Sequence, residues 1–325
     1  MRAVIFEAFG EPASVLKAAE RPLPLPGPGE IRVRLVLAPI HNHDLWTIRG
    51  SYGVKPELPA VGGSEALGVV DGLGEGVVGP ALGTRVVIAG VAGLWAETFI
   101  VPAARAIVLP GEIDDATACQ LIAMPLSTLM LLEDLALEPG QWMVQNAANG
   151  AVGRLVATFA KSRGINVVGL VRRDAGVAEL AALGIDRVVS TVDEGWEKKV
   201  AAITGGAPIL RGVESVGGEA AREMLSLLAP GGRLIAFGSM SGVPLVIPSG
   251  ELIFRRITVE GFWGATRSAQ ISREDMGRMI GELIGMAASG TLRLAVDEIF
   301  PLDRAAEAAA ASDRPGRAGK IALAP

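Results

Sequence analysis

The chain has 325 residues, enough for about two domains, and half of them are hydrophobic, so a large buried core is within reach. A net charge of -5 and an aromatic content of 4% leave neither a basic stripe nor a stacking platform, which argues against nucleic acid as a partner. The single cysteine, Cys119, rules out an internal disulfide and a cysteine-based zinc cluster; it reads as a small buried hydrophobe and suits a reducing cytoplasm.

Residues 1–7 are apolar for too short a run to be a signal-peptide core and read as a first strand. Further β-like runs follow at 31–37, 67–70, 85–89 and 97–101, separated by Gly- and Pro-rich punctuation such as 22–29, which predicts a mostly β domain over 1–118. Asp114 and Asp115 open an acidic helical turn. The greasy stretch 119–132 is interrupted by Gln120 and Pro125 and is shorter than a membrane span, so no membrane partner is expected. From 119 to 257 strands at 143–147, 167–171, 187–190, 211–215 and 233–237 alternate with Ala/Leu-rich helices, the pattern of a doubly wound parallel sheet. A strand-like return at 257–263, an amphipathic helix at 273–289 and short strands at 296–300 and 320–323 predict that 258–325 re-enters and completes the first domain.

The most informative stretch is 142–163, an apolar run feeding the turn Ala148-x-Gly150-x-x-Gly153 and then a helix closed by Gly164. In Asn149, Gly150, Ala151, Val152 and Gly153, small residues let the backbone turn tightly and let a pyrophosphate reach the amides at a helix start. A β-rich run at 165–171 completes the βαβ unit, and at its end stand Arg172 and Arg173. Arginines there suit a ribose 2′-phosphate, so NADPH is expected over NADH, although Asp174 remains within reach of a free ribose.

Several motifs together carry a resemblance over essentially the whole length: 44–53, 56–65, 144–153, 215–218, 252–263 and the closing 318–323. With them the chain resembles the zinc-free branch of the medium-chain dehydrogenase/reductase superfamily, most closely the enoyl thioester reductases and next the NADPH:quinone reductases. The resemblance implies a Rossmann domain plus a discontinuous, mostly β GroES-like catalytic domain, a dimer, and a site in the cleft between the domains. It implies hydride delivery from NADPH to the β-carbon of a trans-2-enoyl thioester. Residue by residue, Tyr52 matches a tyrosine that hydrogen-bonds the thioester carbonyl, Gly150 and Gly153 the pyrophosphate turn, and Arg172 an arginine at the 2′-phosphate. Gly238, Ser239 and Met240 match the loop beside the nicotinamide, Phe262 and Trp263 the pocket wall, and Lys320 a lysine near the cofactor. Ser127 replaces a threonine expected near the nicotinamide. His41 and Trp46 replace asparagines, and Trp46, which fills the substrate pocket where the enoyl reductases have a smaller group, matches an aromatic of the quinone reductases.

Hydride addition to a conjugated carbonyl builds negative charge on its oxygen and needs a donor aimed there. Tyr52, the only tyrosine, stands on a turn between Gly50 and Gly53 and suits that role. His41, His43 and Asp44 with Glu65 form the one candidate metal constellation: two histidines at i, i+2 on an extended stretch would face one side. In zinc-using relatives, however, His41 falls at a cysteine ligand and Ser64 at a histidine ligand, and serine binds zinc poorly; the expectation is therefore a metal-free protein with Glu65 structural. Ser226, Ser239 and Ser241 lie in no G-x-S-x-G elbow. Arg267, Arg273 and Arg278 read as a solvated helix face, with a CoA or carrier-protein phosphate as the alternative partner. A quinone is the alternative substrate, and a catalytically idle NADPH-binding or redox-sensing protein is the reading from another class.

Overall fold

The computed structural model describes residues 1–325. It divides into two compact units, Met1–Leu126 with Gly277–Pro325, and Ser127–Met276. The division falls inside the helix Ala123–Leu135, eight residues beyond the composition change that suggests 118.

The first segment supplies eight strands: β1 (Arg2–Phe6), β2 (Lys17–Glu20), β3 (Glu30–Pro39), β4 (Ala60–Val61), β5 (Glu65–Leu73), β6 (Arg85–Ala89), β7 (Thr98–Pro102) and β8 (Ile107–Val108). In chain order there follow β9 (Trp142–Gln145), β10 (Asn166–Val171), β11 (Val188–Ser190), β12 (Ile209–Glu214), β13 (Arg233–Ala236), β14 (Thr258–Gly261), β15 (Val296–Pro301) and β16 (Lys320–Ala324).

In the first unit β15 and β16 join the N-terminal strands in a sheet of order β15-β16-β3-β5-β6-β8, with β7 also paired to β3; a smaller sheet runs β2-β1-β4. The long β3 shows why: Ile31, Val33 and Leu35 point inward while Arg32 and Arg34 point away, the period of two that lets one face join a core. That core gathers Val4, Phe6, Trp95, Phe99, Phe300, Ile321 and Leu323. Trp95 is fully buried, and its indole lies so close to the backbone at Gly62 and Gly63 that a Cβ on either would sit 2.4 or 2.2 Å from the ring. Glycine at both positions lets the chain lie flat on Trp95, which fixes where Ser64 and Glu65 emerge at the start of β5.

The second unit is a six-stranded, all-parallel sheet of order β11-β10-β9-β12-β13-β14. The chain runs outward from β9 to β11, then returns to the other side of β9 with β12. The turn after β9 therefore lies at the topological switch point, where open α/β sheets bind ligands beyond the carboxyl ends of their strands. The helix Ala151–Ser162 covers the sheet with Leu155, Val156, Phe159 and Ala160. The stretch 257–263, expected as a return to the first domain, is instead the last strand of this sheet: β14 pairs in parallel with β13, from Arg233 opposite Thr258 to Ala236 opposite Gly261. A lone β-run cannot say which sheet it joins; here the backbone partner offered by the open edge of β13 decides it.

Candidate active site

In the first unit the predicted residues converge at the helix Asn42–Arg49. His41 is its N-cap, in extended conformation, and the Asp44 side chain folds back so that Oδ2 accepts the His41 amide at 2.9 Å. The helix ends at Gly50 in the left-handed region (φ 73°), where a Cβ would meet the Phe9 ring at 2.9 Å. The reversal lets the amides of Ser51 and Tyr52 both donate to the Trp46 carbonyl, at 3.0 and 3.2 Å. That places the half-buried Tyr52 ring 5.8 Å from the His43 ring, and the His43 ring is stacked on His41 at 5.0 Å. The two histidines are thus not alternate residues of an extended stretch. His41 precedes the helix and His43 lies within its first turn, so they meet as stacked rings and do not converge on one point.

Two hydrogen-bonded sets run from these histidines. Ser64 Oγ donates to Asp44 Oδ1 at 2.6 Å and lies 2.6 Å from His43 Nε2, with His43 Nε2 3.7 Å from Asp44 Oδ1. Glu65, with no exposed surface, places Oε2 2.8 Å from His41 Nε2, while its Oε1 accepts the amides of Ile122 at 2.7 Å and Ala123 at 3.0 Å. Burial pushes the Glu65 carboxyl up to about 8 against the pull of those amides. Burial, then the charges of Lys320 and His43, pushes His41 well below the usual imidazole range. The Glu65–His41 contact is therefore a neutral pair at pH 7, sharing one proton between Oε2 and Nε2. Lys320, in β16, falls to about 8 through loss of solvent and then through Arg317. No three His, Cys, Asp or Glu side chains are grouped to hold a metal ion. The donor atoms of His41, His43, Ser64 and Glu65 are already turned on one another, so they do not fit a catalytic zinc, which needs three convergent ligands and an open position.

In the second unit the strand–turn–helix forms as its glycines suggest. Gly150 is the N-cap of the helix starting at Ala151, whose first-turn amides have no intrahelical acceptor. A Cβ at Gly153 would sit 2.6 and 2.7 Å from the Ala148 and Ala147 carbonyls, and one at Gly169 would sit 2.8 Å from Ala148 Cβ, so helix and strands approach as a dinucleotide fingerprint requires. The half-exposed Asn149 and Val152 and the exposed Ala151 line the turn. These residues fit the pyrophosphate of a nicotinamide dinucleotide.

Beneath the turn lies a set of contacts among residues of the motifs 144–153 and 215–218, joined by Glu214, to which the sequence reading assigned no structural role. Gln145 Nε2 donates to the Gly153 carbonyl at 2.8 Å, and Asn146 Nδ2 donates to Glu214 Oε1 at 2.8 Å. Asn146 Oδ1 accepts the Ser215 amide at 2.8 Å, and Glu214 Oε1 also accepts the amides of Val216 and Gly217, both at 2.7 Å. Gln145, Asn146 and Ser215 to Gly217 were visible in sequence as motif residues at the ends of two predicted strands, whereas Glu214, just before the second motif, carried no signal beyond its position. Gly238 packs on the Ser215 backbone, and the Met240 amide donates to the Ser215 carbonyl at 3.0 Å, so the loop 238–240, with Ser239 and Met240 exposed, is laced to the loop after β12.

Arg172 is exposed just past β10; Arg173 caps the next helix and pairs loosely with Glu179 at 3.7 Å. Ser127 Oγ lies 2.6 Å from where a Gly264 Cβ would stand. Phe262 stacks on Phe237 at 5.5 Å, and Trp263 caps the helix Gly264–Gln270 with its side chain partly exposed. Trp46 belongs to the first unit and these two aromatics to the second. Arg267 does not lie on a solvated face: its guanidinium pairs with Asp134 at 2.7 Å, with about a quarter of each side chain exposed.

The Glu65 carboxyl, near 8 in the folded state against 4.5 as its reference value, binds a proton that the unfolded chain has released between those values. Its contribution thus makes stability fall as pH rises from about 5 to 8, by a slope of at most ~1.4 kcal/mol per pH unit. Lys320 acts with opposite sign and only above about 8. Urea unfolding of Glu65→Gln at pH 5.5, 7 and 8.5 is expected to show a flatter decline than the unmutated chain; an identical decline refutes the neutral-pair assignment.

Residues 151–282 match the zinc-binding dehydrogenase family and residues 27–111 the alcohol dehydrogenase GroES-like domain. The mitochondrial enoyl-[acyl-carrier-protein] reductase of Xenopus tropicalis is 32% identical over 301 residues, covering 90% of this chain and 86% of the relative. The human protein of that name is 30% identical over 322 residues, covering 97% and 86%. Among solved structures, Escherichia coli quinone oxidoreductase complexed with NADPH superposes with a TM-score of 0.90 at 26% identity over all of both chains. The chain belongs to the medium-chain dehydrogenase/reductase superfamily of oxidoreductases, with enoyl-[acyl-carrier-protein] reductases and quinone reductases as its neighbours.

Proposed function

We propose that this protein is an NADPH-dependent reductase of α,β-unsaturated carbonyl compounds, with a trans-2-enoyl thioester as substrate. The observation that carries the reading is the placement of its sole tyrosine, Tyr52, on a Gly50-capped turn beside His43, in a chain 32% identical to an enoyl reductase over 86% of that relative. When bound, NADPH supplies the hydride. Asn149, Gly150, Ala151, Val152 and Gly153 hold its pyrophosphate, Arg172 and Arg173 its 2′-phosphate, and Ser127, Gly238, Ser239, Met240 and Lys320 its nicotinamide end. The Tyr52 hydroxyl donates to the substrate carbonyl, where negative charge grows as the hydride arrives, and Trp46 of the same unit contacts the acyl chain. The hydrogen bonding among His41, His43, Ser64 and Glu65 supports a reaction without a metal. The open outer edge of β14 and the exposed Leu252, Ile253 and Phe254 of the same unit support a homodimer, and the lone buried Cys119 a cytoplasmic setting.

Trp46 and the quinone oxidoreductase neighbour favour a quinone as the second candidate substrate. Following NADPH oxidation with crotonyl-CoA, with a quinone and with neither separates the readings; the enoyl reading requires the first to exceed the second, and no oxidation with any acceptor leaves an idle binder.

Three further outcomes are expected. Calorimetry should show NADPH binding more tightly than NADH, and Arg172→Ala should erase most of that preference, a loss of about 1.5–3 kcal/mol for a charge-assisted contact; equal affinities in the unmutated protein would defeat the assignment. Turnover should survive prolonged dialysis against a strong chelator, and stoichiometric zinc whose removal abolishes activity would reverse the metal-free reading. Tyr52→Phe should lower kcat by about 10²–10³ with NADPH affinity nearly unchanged, as for loss of one oxyanion donor; unaltered turnover on every enone would reduce Tyr52 to a packing residue.

A further inference from the structure

A reductase of enoyl thioesters must do two things to its substrate besides deliver hydride: hold the carbonyl oxygen and protonate the α-carbon. Tyr52 accounts for the first. We infer that His43 performs the second, as the acid that protonates the α-carbon, and that Ser64 and Asp44 hold its imidazole in the productive orientation. This rests on the enoyl reductase reading.

The argument begins with hydrogen-bond direction. Ser64 has one hydroxyl proton, and it goes to Asp44 Oδ1 at 2.6 Å. The oxygen it leaves can only accept, so the 2.6 Å contact with His43 Nε2 is an Nε2–H donating to Ser64 Oγ. Asp44 is itself held, because its second oxygen accepts the His41 amide at the helix start. The three side chains form a directed chain that fixes the tautomer of His43 and leaves Nδ1 as the nitrogen that takes and gives a proton, as a hydrogen-bonded partner does for a working imidazole.

Location separates the two histidines. His41 has a side chain 1% exposed and is committed to Glu65, whereas that of His43 is 20% exposed and its ring lies 5.8 Å from Tyr52. A carbonyl oxygen and its α-carbon are two bonds apart, so neighbouring side chains suit them as separate donors. The charged and titratable groups that face His43 are Asp44 and Ser64 on one side, the stacked His41 with Glu65 and Lys320 behind it, and Tyr52.

The step balances. As hydride bonds to the β-carbon, the π pair of the double bond moves toward the carbonyl, whose oxygen Tyr52 holds. The α-carbon then forms its C–H bond with the proton on Nδ1 while the Nδ1–H bond breaks, its electron pair staying on the imidazole. Water restores that proton. The two electrons enter with the hydride, and no other reductant is needed.

The chain has only two histidines, so the test can be read without activity. Nitrogen-15 NMR of the ligand-free protein is expected to show neutral His43 protonated at Nε2, and Ser64→Ala should abolish that tautomer preference. Kinetically, kcat on an enoyl thioester should fall as rising pH removes the imidazolium. His43→Gln should lose about 10²-fold in kcat together with that alkaline limb, while binding NADPH normally. Ser64→Ala should keep the limb but displace it. A neutral His43 protonated at Nδ1, or His43→Gln with full kcat and an unaltered pH profile, overturns the inference and leaves the reductase reading standing. An unmutated chain that reduces no enone removes both.

Discussion

Each unit is organised around a glutamate with no exposed surface, one of whose oxygens gathers backbone amides. Glu65 takes the amides of Ile122 and Ala123, and Glu214 those of Val216 and Gly217 together with the Asn146 side chain. A buried carboxyl is expensive unless its oxygens are matched, and a stretch of chain leaving a strand carries amides that must find acceptors. The two needs meet. In the first unit the match fastens β5 to the chain some sixty residues on; in the second it holds the loop after β12 against the end of β9. Replacing either glutamate with an apolar residue would leave several buried amides without an acceptor, a larger loss than the single side chain suggests.

The two sites differ in what the other oxygen does. Glu65 Oε2 meets His41, and because burial disfavours charge on both, the pair settles as neutral groups. That neutrality matters to the neighbouring side chains. His43 is stacked on an uncharged ring, Tyr52 lies beside His43, and Asp44 Oδ1 stands 3.7 Å from His43 Nε2. In Glu214 the second oxygen meets no hydrogen-bond partner, and the carboxyl works through one oxygen alone.

What the sequence made legible follows from the range over which each signal acts. The turn at Gly150 and Gly153 was readable because its requirement is local: two positions where a side chain would strike a carbonyl only a few residues away. The strands Arg85–Ala89 and Arg233–Ala236 were readable from alternation and punctuation within one window. The stretch 257–263 was assigned to the wrong sheet because strand pairing is set by a partner distant in sequence. The two histidines were read as facing one side because the stretch after Ile40 looks extended; the helix start at Asn42 depends on Asp44 reaching back to the His41 amide, a contact that only the folded chain displays. Ser64 was weighed solely as a poor metal ligand. Its hydrogen bonds to Asp44 and His43 bridge about twenty residues of sequence and carry no local pattern.

That last point bears on a family whose name refers to zinc binding. A metal site asks several donors to direct lone pairs at one empty point. Here these donors direct protons and lone pairs at each other: His43 to Ser64, Ser64 to Asp44, and Glu65 and His41 through the proton they share. Every such bond removes a lone pair from the metal's reach and fixes a ring orientation instead. A serine at position 64 is enough to bias the balance, since its short hydroxyl accepts from an imidazole and donates to a carboxyl at once, which a histidine in the same place could do only over a longer span. With the Nε2 atoms of both histidines, the Ser64 hydroxyl and one oxygen each of Asp44 and Glu65 committed in this way, these atoms are oriented by one another and not toward a common empty point.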